Sequence, residues 1–477
     1  MTTRAAELFQ QLIDQGQPVG EVVAVDKFFV KVKGLQPINV HALVLFEDGT
    51  QGFVRSVERN NVYIFSMGAK APLVGTVAVR YSPQLNAAVG ESLIGRVISP
   101  TGVPLDGKGP LRATDSWPIF HSAPAIHERE SLDELLETGI TMVDSLFPIV
   151  KGQRMAVIGD IKTGKTTLTT QLGLNQTGKD MIVIYTMISK RQSEIDALVA
   201  MLEARGAMEH SIVVASTIFD SLVTSYLAPY VACSVGEYLW QAKDRDVTVI
   251  YDDLTSHAQI YREMSLVSGG SPGRDSYPSD IFYIHSSLLE RAGKLHRNHR
   301  SFTALPVVLA AGGDVTAYMP TNIISITDGQ WILDSEVFKD GLRPAVSTTL
   351  SVTRVGGRGH TGSQQDVAGR VLRAMTAYRQ ALEFSHFGAE LSDATRDELR
   401  VGALIKSICT QLPGESLPII AQQLLLDLVL SSKPSHDFSD IKRLKNEAVK
   451  AAKTISQTHS YEAVRSQFFT AQGVKEA

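Results

Sequence analysis

GDIKTGKTT, residues 159–167, is the stretch on which the reading of this chain turns. It fits the pattern G-x-x-x-x-G-K-[ST], with Gly159, Gly164, Lys165 and Thr166 at the fixed positions. Asp160, Ile161, Lys162 and Thr163 fill the loop, and Thr167 follows it. Two glycines let the backbone turn tightly enough for successive N–H groups to converge on phosphate oxygens, and a helix starting behind the loop adds its positive end. In a loop of this kind the lysine, here Lys165, reaches the β- and γ-phosphates and the hydroxyl, here Thr166, goes to Mg2+. The alternative is a Gly-rich turn with a solvated lysine. The neighbours argue against that: RMAVIG before the loop has the apolar, β-branched character of a buried parallel strand, and TTLTTQLGL after it reads as a helix. A second element belongs at the end of another buried strand, and VTVIYDD supplies Asp252, a carboxylate placed to approach Mg2+ directly or through water.

Working outward, MIVIYTMI, SIVVAS, VTVIYDD, ALPVVLAA and IISITDG read as further strand-like apolar runs alternating with helical patterns, which implies a parallel sheet covered by helices. On the N-terminal side, EVVAVDKFFVKVKG, HALVLFEDGTQGF and NNVYIFSMG are short β-branched and aromatic runs separated by the turn pairs Asp48-Gly49 and Asn60-Asn61, the pattern of a small barrel or sandwich. Ala5 to Asp14 suits a short helix ahead of it. On the C-terminal side glycine thins out: 33 of the 37 lie in the first 370 residues, and the segments beyond are helical in period, among them VAGRVLRAMTAYRQALEF, DELRVGALIKSI and IIAQQLLLDLVL. The expected domains are 1–88, a short helix and small β-rich unit; 89–372, an α/β nucleotide-binding domain; and 373–477, a helical bundle.

Composition narrows the class. With 44% hydrophobic and 20% charged residues over 477 positions, the bulk is not disordered, and the length suits about three domains. Forty-six Lys and Arg against 50 Asp and Glu leave a charge of −4, which is not that of a nucleic-acid polycation. No apolar run reaches the roughly 18 residues of a membrane-spanning helix. Arg4, Glu7 and Asp14 interrupt the place where an export signal has its apolar core, and the two cysteines, Cys233 and Cys409, are too few for a disulfide framework. The expectation is a reducing compartment. His296 and His299 in HRNHR read as part of a solvated basic loop.

Several long strings, in order along the chain, resemble the alpha subunit of F-type ATP synthases. They are GRVISPTGVPLDGKGPL (95–111), TGITMVDSLFPIVKGQRMAVIGD (138–160), IYDDLTSHAQIYREMSL (250–266), PGRDSYPSDIFYIHSSLLERAGKL (272–295), GDVTAYMPTNIISITDGQ (313–330), LSVTRVGG (350–357) and FSHFGAELSDATRDEL (384–399). The resemblance implies an N-terminal β-barrel, a central RecA-like domain and a C-terminal helical bundle. It implies ATP or ADP with Mg2+ as ligands. It also implies an alternating ring of three alpha and three beta-type catalytic subunits around a gamma-type central shaft, joined to a peripheral stalk. Neither nucleic acid nor a membrane span of its own belongs to this picture; the membrane is met through partner subunits. The expected place is the cytoplasmic face of the cell membrane, or an organelle equivalent if a transit peptide precedes this chain.

Residue by residue, the resemblance implies that Arg354 enters the neighbouring beta subunit's site and that Ser351 is associated with activity there. It also implies that Phe338, Arg343 and Pro344 line the adenine side of the chain's own site; a turn before a strand is the equal alternative for these three. Gln411 stands as the remnant of a Gln-rich segment that completes the pocket. Catalytic subunits of this family carry a glutamate after the strand that follows the loop; here SKR follows MIVIYTMI, and Lys190 stands where the glutamate is needed. The family's loop reads GDRQTGKT, so Ile161 and Lys162 replace an Arg-Gln pair and one donor is lost. SGGSPGRD, 268–275, carries less positive charge than its counterpart, and the helix ahead of the barrel is short, the marks of a divergent member. Two other functions compete: a self-sufficient ring ATPase of the secretion or flagellar export type, which Lys190 disfavours, and, more remotely, a Rho-like nucleic-acid motor.

Overall fold

The computed structural model describes residues 3–386, 392–434, 436, 438, 440–455 and 460–474; part of the FSHFGAELSDATRDEL string falls outside them. The chain divides into two compact units, Met1–Arg129 with Asp180–Val307, and Glu130–Lys179 with Val308–Ala477. Between them they hold a closed six-stranded N-terminal barrel, a central α/β nucleotide-binding domain and C-terminal helices.

The first unit opens with a helix, Thr3–Asp14, and the barrel strands β1 (Val19–Asp26), β2 (Phe29–Lys33), β3 (Leu43–Phe46), β4 (Gln51–Glu58), β5 (Asn61–Ser66) and β6 (Val77–Ser82). They close in the order β1-β2-β5-β4-β3-β6, the last seam being the antiparallel register Val19↔Val79 and Gly20↔Ala78. Of the two architectures open to the sequence, closure selects the barrel and removes both free sheet edges. Period-two alternation turns Val30 and Val32 of β2 inward and fully buries them with Val22, Val44, Val54 and Ile64. Gly20 is required by close approach: a Cβ there would meet Lys33 O, Leu35 N and a Val32 methyl at 2.7 Å. Phe9 and Leu12, one turn apart on the helix, pack on the outer face against Leu45 and Val79.

The same unit carries a parallel sheet in the order Val97–Ile98, Ser211–Thr217, Met181–Lys190, Asp246–Asp252, Ser301–Leu309. Met181 to Ile188 and Asp246 to Asp252 are buried without alternation, as expected of strands covered on both faces. Leu222–Ala242, apolar all round, packs on these strands and is capped at its start by Ser221, whose hydroxyl accepts from Thr224 N at 3.1 Å. Within it Glu237, fully buried, takes two bonds from the buried Arg291 guanidinium, at 2.8 and 2.5 Å, which supplies the pairing a buried carboxylate requires. Cys233 and Cys409 are both free and buried. The string at 95–111, beyond its strand Val97–Ile98, folds back on an ion pair: Arg96 grips Asp106 at 2.6 and 3.0 Å, and Val97 N and Lys108 N also donate to that carboxylate.

In the second unit Ala156–Gly159 pairs in parallel with Gly329–Leu333, which pairs antiparallel with Val352–Thr353. One expectation is overturned here. IISITDG, read as strand-like, forms the end of a helix, Tyr318–Ile326, and the strand starts only at Gly329. Met319, Ile323 and Ile326 recur at helical spacing and are all buried, and Pro320 sits in the first turn, where its missing N–H costs nothing. The C-terminal helices are Gly362–His386, Asp393–Cys409, Ile419–Ser431, Ile441–Ile455 and Tyr461–Ala471. Ile419–Ser431 is the axis of the group, with Leu424, Leu425, Leu426, Leu428 and Val429 fully buried and Asp427 held by Arg370 and Arg465. Gly402 lets two helices touch: a Cβ there would lie 2.2 Å from the Tyr378 ring.

Candidate functional site

The loop predicted to bind phosphate lies between the strand Ala156–Gly159 and the helix Lys165–Leu174, in the order the motif demands. Gly159 leaves no room for a side chain, since a Cβ would meet Leu333 O and Thr163 Oγ1 at 2.7 Å. Gly164 caps the helix with φ +98°, a left-handed conformation that a residue with a Cβ adopts at a cost. Lys165 Nζ donates to the carbonyls of Gly159 at 2.9 Å and Asp160 at 2.7 Å, so its ammonium is folded over the loop. Phosphate oxygens are charged acceptors and compete well with carbonyls for such a donor. Thr163 is buried and its hydroxyl donates to Asp160 O at 2.8 Å, whereas Ile161 is 68% exposed and adds no donor. Thr166 and Thr167 are exposed at the helix start.

A cavity of about 320 Å³ opens beside the loop. Thr163, Gly164 and Thr167 form its phosphate-loop end, Ile140 and Leu168 its apolar floor, and Phe338, Arg343 and Pro344 another wall. Its size suits a small ligand, and its mostly apolar lining with a few polar groups is typical of such sites. The three residues with two equal readings therefore line the same cavity as the loop. The Arg343 guanidinium lies 3.3 Å from the Phe338 ring centroid, a stacked pair that stiffens this side.

The remaining wall includes Gln411, the residue the resemblance offered as completing the pocket. Gln411, Leu412, Pro413 and Glu415 reach the cavity from the turn after Asp393–Cys409. That turn is tied down twice: Gly414 N donates to Gln171 Oε1 at 2.8 Å, and Gln411 bridges Thr141 N at 2.7 Å and Gly139 O at 2.9 Å. Gln411 is thus a brace with both ends of its amide engaged. For Leu412, Pro413 and Glu415 the signal in sequence was only the Gln-Leu-Pro-Gly turn itself; apart from the resemblance at Gln411, nothing local ties it to a loop so far upstream.

Asp252 lies at the end of its strand, as predicted, but in the first unit, and its carboxylate has a cationic partner. Lys190 Nζ donates to Asp252 Oδ1 at 2.7 Å and to Asp253 Oδ2 at 3.1 Å. Burial opposes the Lys190 charge, yet the charges of Asp252 and Asp253 prevail and raise its pKa above the ordinary lysine value. Asp253 also caps the next helix, accepting from Ser256 N at 2.6 Å. A carboxylate already satisfied by an ammonium is a poor fit for a tightly held Mg2+. Glu194, the nearest alternative carboxylate along the chain, accepts from Arg191 N at 3.4 Å at the start of its helix.

Arg354 and Ser351 sit apart in role. Ser351 is buried and its hydroxyl accepts from Ile332 N at 3.0 Å, which ties the segment to the central strand. Arg354 is exposed, its backbone N donates to Asp328 O at 2.9 Å and its Nη1 to Thr327 O at 3.2 Å. Asp328 is itself fixed by Arg154 at 2.7 and 2.9 Å, so the base of the exposed arginine is rigid.

Residues 139–353 match the model of the ATP synthase alpha/beta family, nucleotide-binding domain. The chain is 41% identical over 416 residues to the ATP synthase subunit alpha of Clostridium botulinum strain Hall, covering 87% of this chain and 82% of the relative. It is 40% identical over 439 residues to the same subunit of strain Eklund 17B, covering 91% and 87%. No helix among the described residues is long and apolar enough to cross a membrane. Fold, loop and similarity over most of both lengths agree: the chain belongs to the ATP synthase alpha subunit family.

Proposed function

We propose that this chain is the non-catalytic, regulatory nucleotide-binding subunit of a rotary proton- or sodium-translocating ATP synthase. In this reading ATP or ADP lies with its phosphates on residues 159–167 and its base toward Phe338, Arg343 and Pro344. Thr166 and Asp252 are the residues that would hold Mg2+, the second of them only by exchanging Lys190 for the metal. Arg354 serves the catalytic site of an adjacent beta-type subunit, where a planar, permanently charged fork stabilises charge on the transferring phosphoryl group. Ser351 supports it by holding the segment in place. The partners are beta-type subunits alternating with this one in a ring, a gamma-type shaft and a peripheral stalk, at the cytoplasmic face of the membrane.

The observation that carries the non-catalytic reading is Lys190. Hydrolysis needs a group that accepts a proton from, or orients, the attacking water. An ammonium bonded to two carboxylates does neither. A self-sufficient ring ATPase would need a carboxylate in that place, and Glu194 is engaged with the backbone of its own helix. The test is a turnover assay on the purified chain. Nucleotide binding without sustained Mg2+-dependent hydrolysis is expected, and hydrolysis that Lys165→Ala abolishes would refute the reading.

A further inference from the structure

Every residue that lines the cavity beside the phosphate loop belongs to the second unit, and away from the loop its walls are apolar: Ile140, Leu168, Phe338, Pro344, Leu412 and Pro413. Leu412 is 72% exposed, apolar surface that a bound ring would cover. The side-chain oxygens on these walls are already committed within the chain. Gln411 Oε1 accepts from Thr141 N at 2.7 Å, and Gln171 Oε1 accepts from Gly414 N at 2.8 Å. The Glu415 carboxylate is held at both oxygens, by Leu412 N at 3.1 Å and by Lys445 Nζ at 3.1 Å from the helix Ile441–Ile455. The backbone follows the same pattern. Arg343 O accepts from Gln411 N at 2.7 Å and Ala345 O from Asp334 N at 2.9 Å, while Pro344 and Pro413 have no N–H to give.

We propose that this cavity holds the base of a purine nucleotide by surface contact and does not tell adenine from guanine, so that its ligands are purine nucleoside di- and triphosphates as a class. The two bases differ at position 6, which carries an amino donor in adenine and a carbonyl acceptor in guanine. Selecting adenine needs an acceptor aimed at that amino group, and the three acceptor side chains here are engaged by the protein's own donors. The donors do not choose either. Arg343 Nη1 is spent on the carbonyls of Phe338 and Leu342, and any further N–H of Arg343 or Gln171 can be answered by N7, an acceptor that both purines carry. What remains is apolar contact and the stacked Phe338–Arg343 pair, which suit either ring. A hydrophobic slot rejects a ring of equal size only weakly, whereas a site built on hydrogen bonds to its ligand discriminates on the order of ten-thousandfold. The inference rests on the nucleotide-binding reading of residues 159–167.

The experiment measures the affinity of the full chain for ADP, GDP and CDP by calorimetry in one Mg2+ buffer. ADP and GDP are expected to agree within about tenfold. CDP, whose single ring covers less of the apolar walls, is expected to bind about five- to tenfold more weakly than ADP. Phe338→Ala weakens ADP and GDP binding by the same factor, about tenfold, and leaves their ratio unchanged. A gap wider than about tenfold between ADP and GDP in the wild type overturns the inference. So does CDP binding as tightly as ADP, since the base then lies outside the slot, and so does a loss confined to ADP in Phe338→Ala. Failure of all three nucleotides to bind is a different result: it overturns the nucleotide reading itself and the inference with it. If Phe338→Ala does not fold, the wild-type comparison decides alone.

Discussion

The phosphate loop of the second unit and the Lys190 cluster of the first differ in how their side chains are committed. The loop has two glycines with no space or no freedom for a side chain, a helix start, and a lysine whose ammonium donates to the backbone carbonyls of Gly159 and Asp160. At the cluster, Lys190, which the resemblance sets where a catalytic glutamate is expected, is an ammonium bonded to the Asp252 and Asp253 carboxylates. Backbone-made binding tolerates change in its side chains, as exposed Ile161 illustrates, whereas chemistry made by one side chain is lost with that side chain. On the proposed function, the first region binds nucleotide and the second leaves turnover to a partner.

The sharpest way to break this contrast is Arg354→Ala in a reconstituted complex. Assembly and nucleotide binding are expected to persist while steady-state ATP hydrolysis falls by about a thousandfold. Unchanged rates would remove the arginine from the partner's site. Lys165→Ala attacks the loop itself: losing a charge-assisted donor to phosphate is expected to weaken ADP binding by about thirty- to a hundredfold, measured by calorimetry on the full chain. A smaller effect comes from Asp106→Asn, which dismantles an ion pair with no role in nucleotide handling. Stability to urea is expected to drop by about 1–2 kcal/mol at neutral pH with ADP affinity unchanged. The Arg96 guanidinium holds the Asp106 carboxyl below its ordinary value, so this contribution is complete above the normal carboxylate range. It is lost progressively as the pH falls from about 4 toward the depressed folded value, and the wild-type and variant curves should draw together over that range. Ile161→Arg gives the smallest change, tightening nucleotide binding by about two- to fivefold through one more donor near the phosphates.

Much of this was legible because the signals are local. The loop motif with its strand and helix, the long buried strands, the helical tail and the lysine after MIVIYTMI all follow from residues close together in sequence. Barrel closure did not, since Val19↔Val79 is a long-range pairing that period-two alternation cannot distinguish from a sandwich edge. IISITDG misled because a β-branched run of that length suits either a strand or a buried helix face; the Met319, Ile323, Ile326 spacing was the better guide. Gln411 was offered at the pocket by the resemblance alone; its work as a brace, and Leu412, Pro413 and Glu415 as cavity wall, depend on bonds to Gly139, Thr141 and Gln171 that no local pattern announces. The salt bridge of Lys190 with Asp252 was hidden for the same reason: each residue was identified alone, and only the register of two neighbouring strands brings them together.

Binding without turnover is the core of the account, and the most direct test is the fate of labelled ATP on the purified chain. After incubation with excess Mg2+, the nucleotide recovered from the protein should be intact ATP, with no phosphate released beyond background over many binding lifetimes. Release of phosphate at a steady rate, abolished by Lys165→Ala, would contradict it.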